Sequence, residues 1–507
     1  MTKKLAMTLA VGSMLAIGCT GAEDDGSNDN GGDKADQIDG RDDPSGLLGP
    51  AERRLAMLIS SADVGQSFGV PDEKAPYPDT YWPMGGDDIA PDGNGIAVEW
   101  VNKDGTQCFQ RNDCDDPAPS PLAKYTAMVD PANLQAAIDW EVENHGTGRA
   151  GVLSWFGHCP GWVASTLLHL PVTEPLSVSF DGQKFAPCTR GSDCTKFEIG
   201  DINALSAEIH EGAQSRFIGA RCDTEFEEDE ADDSIDIDSL RDEFGRIVRN
   251  GTGCKGLNAG AMLILMGNRL KNDQLPFAID AQNEFNTEQI WNQPAYRYTV
   301  NRFRTLTRSQ ATHLVASGGE SETSSSLSGD EYIFNSNAKG WAFVDFTLHW
   351  VTETAPNVSV ISGVDSTNTT RMVAVIELDA DPFEFSAEII GGEYLDDASV
   401  GADRLRVAPF AWIALDSASE NGSRHNPFVS PALVKQLLTM TDAASAGNDG
   451  RAPDSCAHDL CSTGSTLAPS CDSCAASICA VDSFCCDNSW DSLCVSQVSS
   501  VCGQTCN

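Results

Sequence analysis

The chain has 507 residues, 41% of them hydrophobic, which is long enough for a large core and more than one module and argues against overall disorder. A formal net charge of −42 argues against nucleic acid and anionic lipid headgroups as partners. Acidic excess is otherwise compatible with any exported surface.

Lys3 and Lys4 precede an apolar run from Leu5 to Ile17, the pattern of an export signal. Leu15-Ala-Ile-Gly-Cys19 resembles a bacterial lipobox, with Ala16 where leucine is usual. It predicts a lipoprotein signal over 1–18 and lipidation of Cys19, an ordinary cleaved signal peptide being the alternative. No later apolar run is long enough to span a membrane. The expected product is exported and held by lipid at a bacterial outer membrane or cell surface, or secreted. Residues 19–46 are Gly/Asn/Asp-rich and read as a flexible acidic linker. The body spans 47–441, a second linker 442–455, and a cysteine-rich module 456–507.

Within the body, helical patterns fall at 131–144, at 161–170 and at 431–440. Between them, Asp223 to Glu243 carries twelve acidic residues against one arginine. It reads as a solvated insert or as a calcium site, although no DxDxDG loop is present. The segment "PFAID" reads as a strand ending at Asp280, and "RMVAVIELD" (371–379) as a buried one. Along 339–353, Ala342, Val344, Phe346, Leu348 and Trp350 share one face, and Trp341, Phe343, Asp345, Thr347, His349 and Val351 the other. Helices and strands mix without strict βαβ alternation, which predicts an α+β fold.

Eighteen cysteines in an exported chain should mostly form disulfides. Ten lie in the tail and can pair among themselves, so that a zinc reading of Cys471–Cys474 is the weaker one. In the body, Cys108 with Cys114 and Cys188 with Cys194 are local pairs, and Cys222 with Cys254 could bridge the acidic insert. With Cys19 lipidated, one body cysteine remains, and Cys159 is the one without a loop-like neighbour; other pairings stay open.

Cys159 sits in "SWFGHCPGW", between Trp155 and Trp162, which are candidate substrate-binding residues, and just before an apolar stripe of Trp162, Val163, Thr166, Leu167 and Leu170. Pro160 suits the first turn of a helix. The positive end of a helix dipole stabilises a thiolate, and the flanking glycines would let a substrate backbone come close. His158 reads more readily as a packed side chain than as a catalytic one. His349 is a candidate base, but Asp345 on its own strand lies about 13 Å away, so an acid partner must come from elsewhere. His425 is a lesser candidate in a loop, and Asp280 reads either as functional or as a strand cap.

Four segments together resemble the oomycete transglutaminase elicitor family. "WFGHCPGW" is similar to its cysteine motif, "LNAGAMLILMGN" (257–268) to its Asn-Pro-Gly segment, "IWNQPAYRYTV" to its "VWNQPVRGFKV" segment, and "EIIGGEY" (388–394) to its Ile-Gly-Gly-Glu-Trp segment, in the same order. The resemblance implies a core distantly related to papain-like peptidases and a cysteine acyltransferase in which a thiolate attacks a glutamine carboxamide, ammonia leaves and an amine takes the acyl group. It implies a protein or peptide glutamine donor and an amine acceptor as partners. It also implies calcium as a cofactor, although no metal ligand is identified from the residues. Trp291 and Pro294 would belong to an exposed recognition segment. Two family histidines are replaced, one by Leu263 and one at Val407 or a neighbour. An inactive surface binding protein with the same fold, and a papain-like peptidase or amidase, are the alternatives.

Overall fold

The computed structural model describes residues 40–84, 119–151, 156–189, 193–219, 256–281, 290–319, 335–353, 366–402, 410–415, 424–448 and parts of 458–506, with a few isolated residues between. The signal and lipobox, the acidic insert, Trp155, Cys108, Cys114, Cys222, Cys254, Cys456 and Cys471 lie outside them, and so do the expectations placed there.

Helices dominate the first part of the body: α1 (Ser45–Leu48), α2 (Leu55–Leu58), α3 (Pro121–Val129), α4 (Leu134–His145), α5 (Cys159–Leu168) and α6 (Ile199–His210). Capping residues set several starts. Ser120 accepts from the Ala123 N–H at 3.2 Å with Pro121 in the first turn of α3. Glu198 and Asp201 form a reciprocal box at the head of α6. The α5 helix is shorter than its apolar stripe predicts. It stops before His169 and Pro171, and Leu170 lies beyond it, 46% exposed.

Strands fill most of the rest: β1 (Ser67–Gly69), β2 (Leu176–Phe180), β3 (Phe185–Pro187), β4 (Thr195–Phe197), β5 (Ser215–Gly219), β6 (Phe277–Asp280) and β7 (Asn292–Leu306). After them come β8 (Gly340–Val351), β9 (Thr367–Leu378), β10 (Ile389–Leu395) and β11 (Phe410–Ala414), with α7 (Ala259–Met266), α8 (Arg308–Ala316) and α9 (Pro431–Asn448) interspersed. The large sheet is antiparallel in the order β10-β9-β8-β7-β6-β11-β5, with β1 on β7 beyond the end of β6, while β2, β3 and β4 form a small separate sheet. This is the expected α+β class.

The alternation along β8 is realised as far as Trp350, while Val351, expected on the second face, joins the main core at the strand's end. Ala342, Val344, Phe346, Leu348 and Trp350 enter the main core, and Trp341 and Phe343 face a second cluster with Leu314 and Val315 of α8. Asp345, on that second face, is fully buried and accepts from Arg371 of β9 at 2.9 Å and from Arg302 of β7. A charged residue mid-strand is tolerated there because two guanidiniums on adjacent strands neutralise it.

Two of the family-like segments form one joint. Asn258 caps α7 through bonds from Gly260 N (2.8 Å) and Ala261 N (3.3 Å), and its Nδ2 donates to Gly392 O at 3.2 Å. A Cβ on Gly260 would lie 2.5 Å from Gly391 O, so helix and strand meet backbone to backbone. The tail carries Cys461–Cys506, Cys474–Cys502, Cys479–Cys486 and Cys485–Cys494 around buried Trp490, and Cys188–Cys194 closes its loop in the body. No helix of the described residues is long and apolar enough to cross a membrane.

Candidate active site

Cys159 is the first residue of α5, with His158 at the N-cap and Pro160 in the first turn. It stands outside any disulfide. Its exposure is 9%, so the residue is buried rather than open to a substrate as the flanking glycines suggest. The glycines beside it also serve another purpose than substrate approach. A Cβ on Gly161 would lie 2.2 Å from Ala207 O of α6, and one on Gly157 would lie 2.2 Å from Tyr81 O. Both close approaches are already taken by the protein's own backbone, which locks the Cys159 turn in place.

The helix leans on β6, β7 and β11. From β7, Asn292 directs its Nδ2 to Cys159 Sγ at 3.9 Å. Trp412 of β11 donates from Nε1 to Asn292 Oδ1 at 2.8 Å. Indole N–H can only donate, so this bond fixes the amide with its oxygen on the tryptophan and its donor toward sulfur. Asp280 lies directly across from Asn292 in the β6–β7 register, on the same face of the sheet. It is buried, and its Oδ1 accepts from Trp291 N at 3.1 Å.

Tyr81 feels the charge of both this sulfur and a buried carboxyl. Tyr81 packs edge-on to Trp291 with centroids 6.2 Å apart. Burial pushes the Tyr81 phenol up, and negative charge on Glu353 and on Cys159 adds to the rise. Glu353 itself, just past β8, is pushed up to about 7 by burial, against the lowering effect of its own backbone N–H and of a bond from Gln293. Its Oε1 has no hydrogen-bond partner among the described residues. A carboxyl that titrates near neutrality can both give and take a proton, which is the property an acid–base group requires.

The remaining sequence candidates are placed as follows. His349 lies opposite Arg297, five positions along β7 from Asn292 (about 16 Å), and bonds to Thr299 Oγ1 at 3.0 Å. The structure does not bring it to Cys159. Trp162, expected to line the site, is instead core, its Nε1 donating to Tyr77 O at 3.2 Å. Pro294 is buried in β7 opposite Ala278, so the Asn-Gln-Pro run is strand rather than an exposed segment, while Trp291 remains partly exposed at its edge. His425 is buried in the turn before α9. Leu263 and Val407 are both buried, in the core positions where the resemblance would place histidines.

His158 faces away from solvent into a cluster with Glu141 and His145 of α4 and Glu208 of α6, whose ligand-type atoms all lie within 4.8 Å of one another. Burial and the neighbouring His145 hold His158 well below the usual imidazole range. Burial is the largest influence on His145 and lowers it, but Glu141, Glu208 and Glu211 together outweigh it and carry the group up to about 9. Burial and Glu141 push Glu208 well above the carboxylate range. Sequence reasoning missed Asn292, Trp412, Glu353 and this cluster. Only the i, i+4 spacing of Glu141 and His145 signals any of it in one dimension.

An α+β fold thus seats a helix-initial cysteine against a tryptophan-held asparagine. The chain belongs to the transglutaminase elicitor family, whose model matches residues 141–421. Residues 454–506 match a second model, described as a domain of unknown function, DUF8252. The crystal structure of the GP42 transglutaminase from Phytophthora sojae shares the fold, with a TM-score of 0.51 at 18% identity over 79% of this chain and 96% of that one. No curated protein matches the sequence.

Proposed function

We propose that the chain is an exported cysteine acyltransferase of transglutaminase type, acting on a glutamine donor and an amine acceptor and held at the surface through Cys19. The observation that supports it most directly is the unbridged sulfur at the head of α5 beneath the oriented Asn292 amide, in a member of the transglutaminase elicitor family. The helix dipole and the amide donor both favour negative charge on Sγ. The thiolate adds to the glutamine carboxamide carbon, forming a C–S bond. Protonated Glu353 gives its proton to the nitrogen, the C–N bond breaks and ammonia leaves. An amine then attacks the thioester, passes its proton to the Glu353 carboxylate, and releases the thiolate as the new amide forms. Asp280, paired across from Asn292 and bonded to the Trp291 backbone, holds the start of β7 in register.

The low exposure of Cys159 favours a second reading, a binding protein that has kept the fold without turnover. A glutamine peptide offered with a fluorescent amine separates the readings. Amine incorporation that disappears in Cys159→Ser supports acyl transfer, and release of ammonia without incorporation points to an amidase. Identical behaviour of the two proteins in both assays removes the enzyme.

A further inference from the structure

The buried cluster beneath the active-site helix has the composition and geometry of a metal centre. Glu141 and His145 share one face of α4, His158 is the N-cap of α5, and Glu208 lies in the last turn of α6. All four side chains are at most 4% exposed. Glu141 Oε1 is 2.9 Å from His145 Nδ1, Glu208 Oε2 is 3.2 Å from His158 Nδ1, and Glu208 Oε2 is 3.9 Å from His145 Nδ1. Ligand atoms around a tetrahedral zinc ion stand roughly 3.3–3.6 Å apart, given bonds of ~2.0–2.2 Å. The observed spacings bracket that range.

The outer oxygens are already engaged. Asn426 donates from its backbone N–H to Glu208 Oε1, and from Nδ2 to Glu141 Oε2 at 2.7 Å and to Ala137 O at 3.0 Å. The amide itself is fixed by Phe428 N on its Oδ1 at 3.1 Å. One oxygen of each carboxylate is thereby turned toward the imidazoles, and Glu208 Oε2, close to His158 Nδ1 but not in hydrogen-bonding geometry with it, has no hydrogen-bond partner among the described residues although its side chain is completely buried. Two carboxylates with two neutral imidazoles balance the charge of one dication. This is the outer support that metal ligands ordinarily have.

We propose that Glu141, His145, His158 and Glu208 bind one divalent transition-metal ion of the zinc class, as a structural centre that pins the N-terminus of the Cys159 helix to α4 and α6. Two imidazole nitrogens do not suit calcium, which takes oxygen ligands, so the calcium implied by the sequence resemblance does not fit this cluster. Four protein ligands leave no open position, which marks a structural rather than a catalytic centre. The inference does not depend on acyl transfer.

Elemental analysis of the full chain purified without chelator should find zinc or a related metal at one ion per chain. Stripping with chelator should lower the melting temperature, and Zn2+ but not Ca2+ should restore it. Cobalt(II) added to the stripped protein should give the visible absorption of a tetrahedral site. Glu208→Gln should abolish that spectrum, and Asn426→Ala, which keeps all four ligands, should weaken zinc binding about 10–100-fold. A wild-type chain that carries only trace metal and binds neither zinc nor cobalt overturns the proposal, whether or not the variants fold. Full metal content in a double Glu208→Gln, His145→Ala variant overturns it too, because the ion then sits elsewhere.

Discussion

Cys159 and Asn292 are separated by 133 positions in sequence and meet because α5 packs on the start of β7. At this scale the odd cysteine count singles out the sulfur, but nothing in one dimension tells which amide would face it. The proposed acid–base group is likewise hidden. Glu353 looks like any surface glutamate at the end of a strand, and only burial brings it to about 7. In the proposed mechanism, the protonated form assists departure of ammonia. The rate of acylation should therefore fall as pH rises through about 7, and Glu353→Gln should flatten that limb while lowering the rate about 10^2–10^4-fold. A pH–rate profile of single-turnover ammonia release checks both. The glycines of the Cys159 motif show the opposite ambiguity, because a missing Cβ serves a substrate or a neighbouring backbone equally well, and here Tyr81 and Ala207 occupy the space.

Among the elements, β8 was legible because its alternation holds from Trp341 to Trp350, with one face in the main core and part of the other in a second cluster. The reach of α5 was not, since Leu170 continues the apolar stripe after the helix has ended. The family-like segments divide by role. The segments around Asn258 and Gly392 build the joint of α7 with β10, while those around Cys159 and Asn292 build the site. Asn258→Ala removes the cap and leaves the Gly260 N–H without an acceptor. It should destabilise the chain by about 1–3 kcal/mol in denaturant unfolding, with no change in alkylation of Cys159 in the folded protein. Asp345→Asn should act on the sheet instead. Burial raises this carboxyl, but bonds from Arg371, Arg302 and Asn301 outweigh it and hold the group below its ordinary value. Its contribution is present above the ordinary carboxylate range and is lost as pH falls, so the variant should show a shallower loss of stability in acid.

For the molecule as a whole, the acidic composition masks carboxyls that stay protonated. Asp79, buried beside Thr80 and Asn203, is raised to about 7 by burial. The folded state keeps this proton where the unfolded chain releases it, so stability falls as pH rises between about 4 and 7, by at most ~1.4 kcal/mol per pH unit. Asp79→Asn should remove that slope in melting temperatures measured across the same range. The large sheet and the helical layer meet where Cys159, Asn292 and Trp412 converge, and the assignment of acyl transfer rests on the chemistry of that sulfur. Intact-mass analysis of the protein quenched during exposure to a glutamine peptide tests it most directly. The account predicts a gain of the peptide's mass less one ammonia, located on the Cys159 peptide, released by hydroxylamine and absent in Cys159→Ser. A protein that alkylates at Cys159 yet never carries this adduct would contradict it.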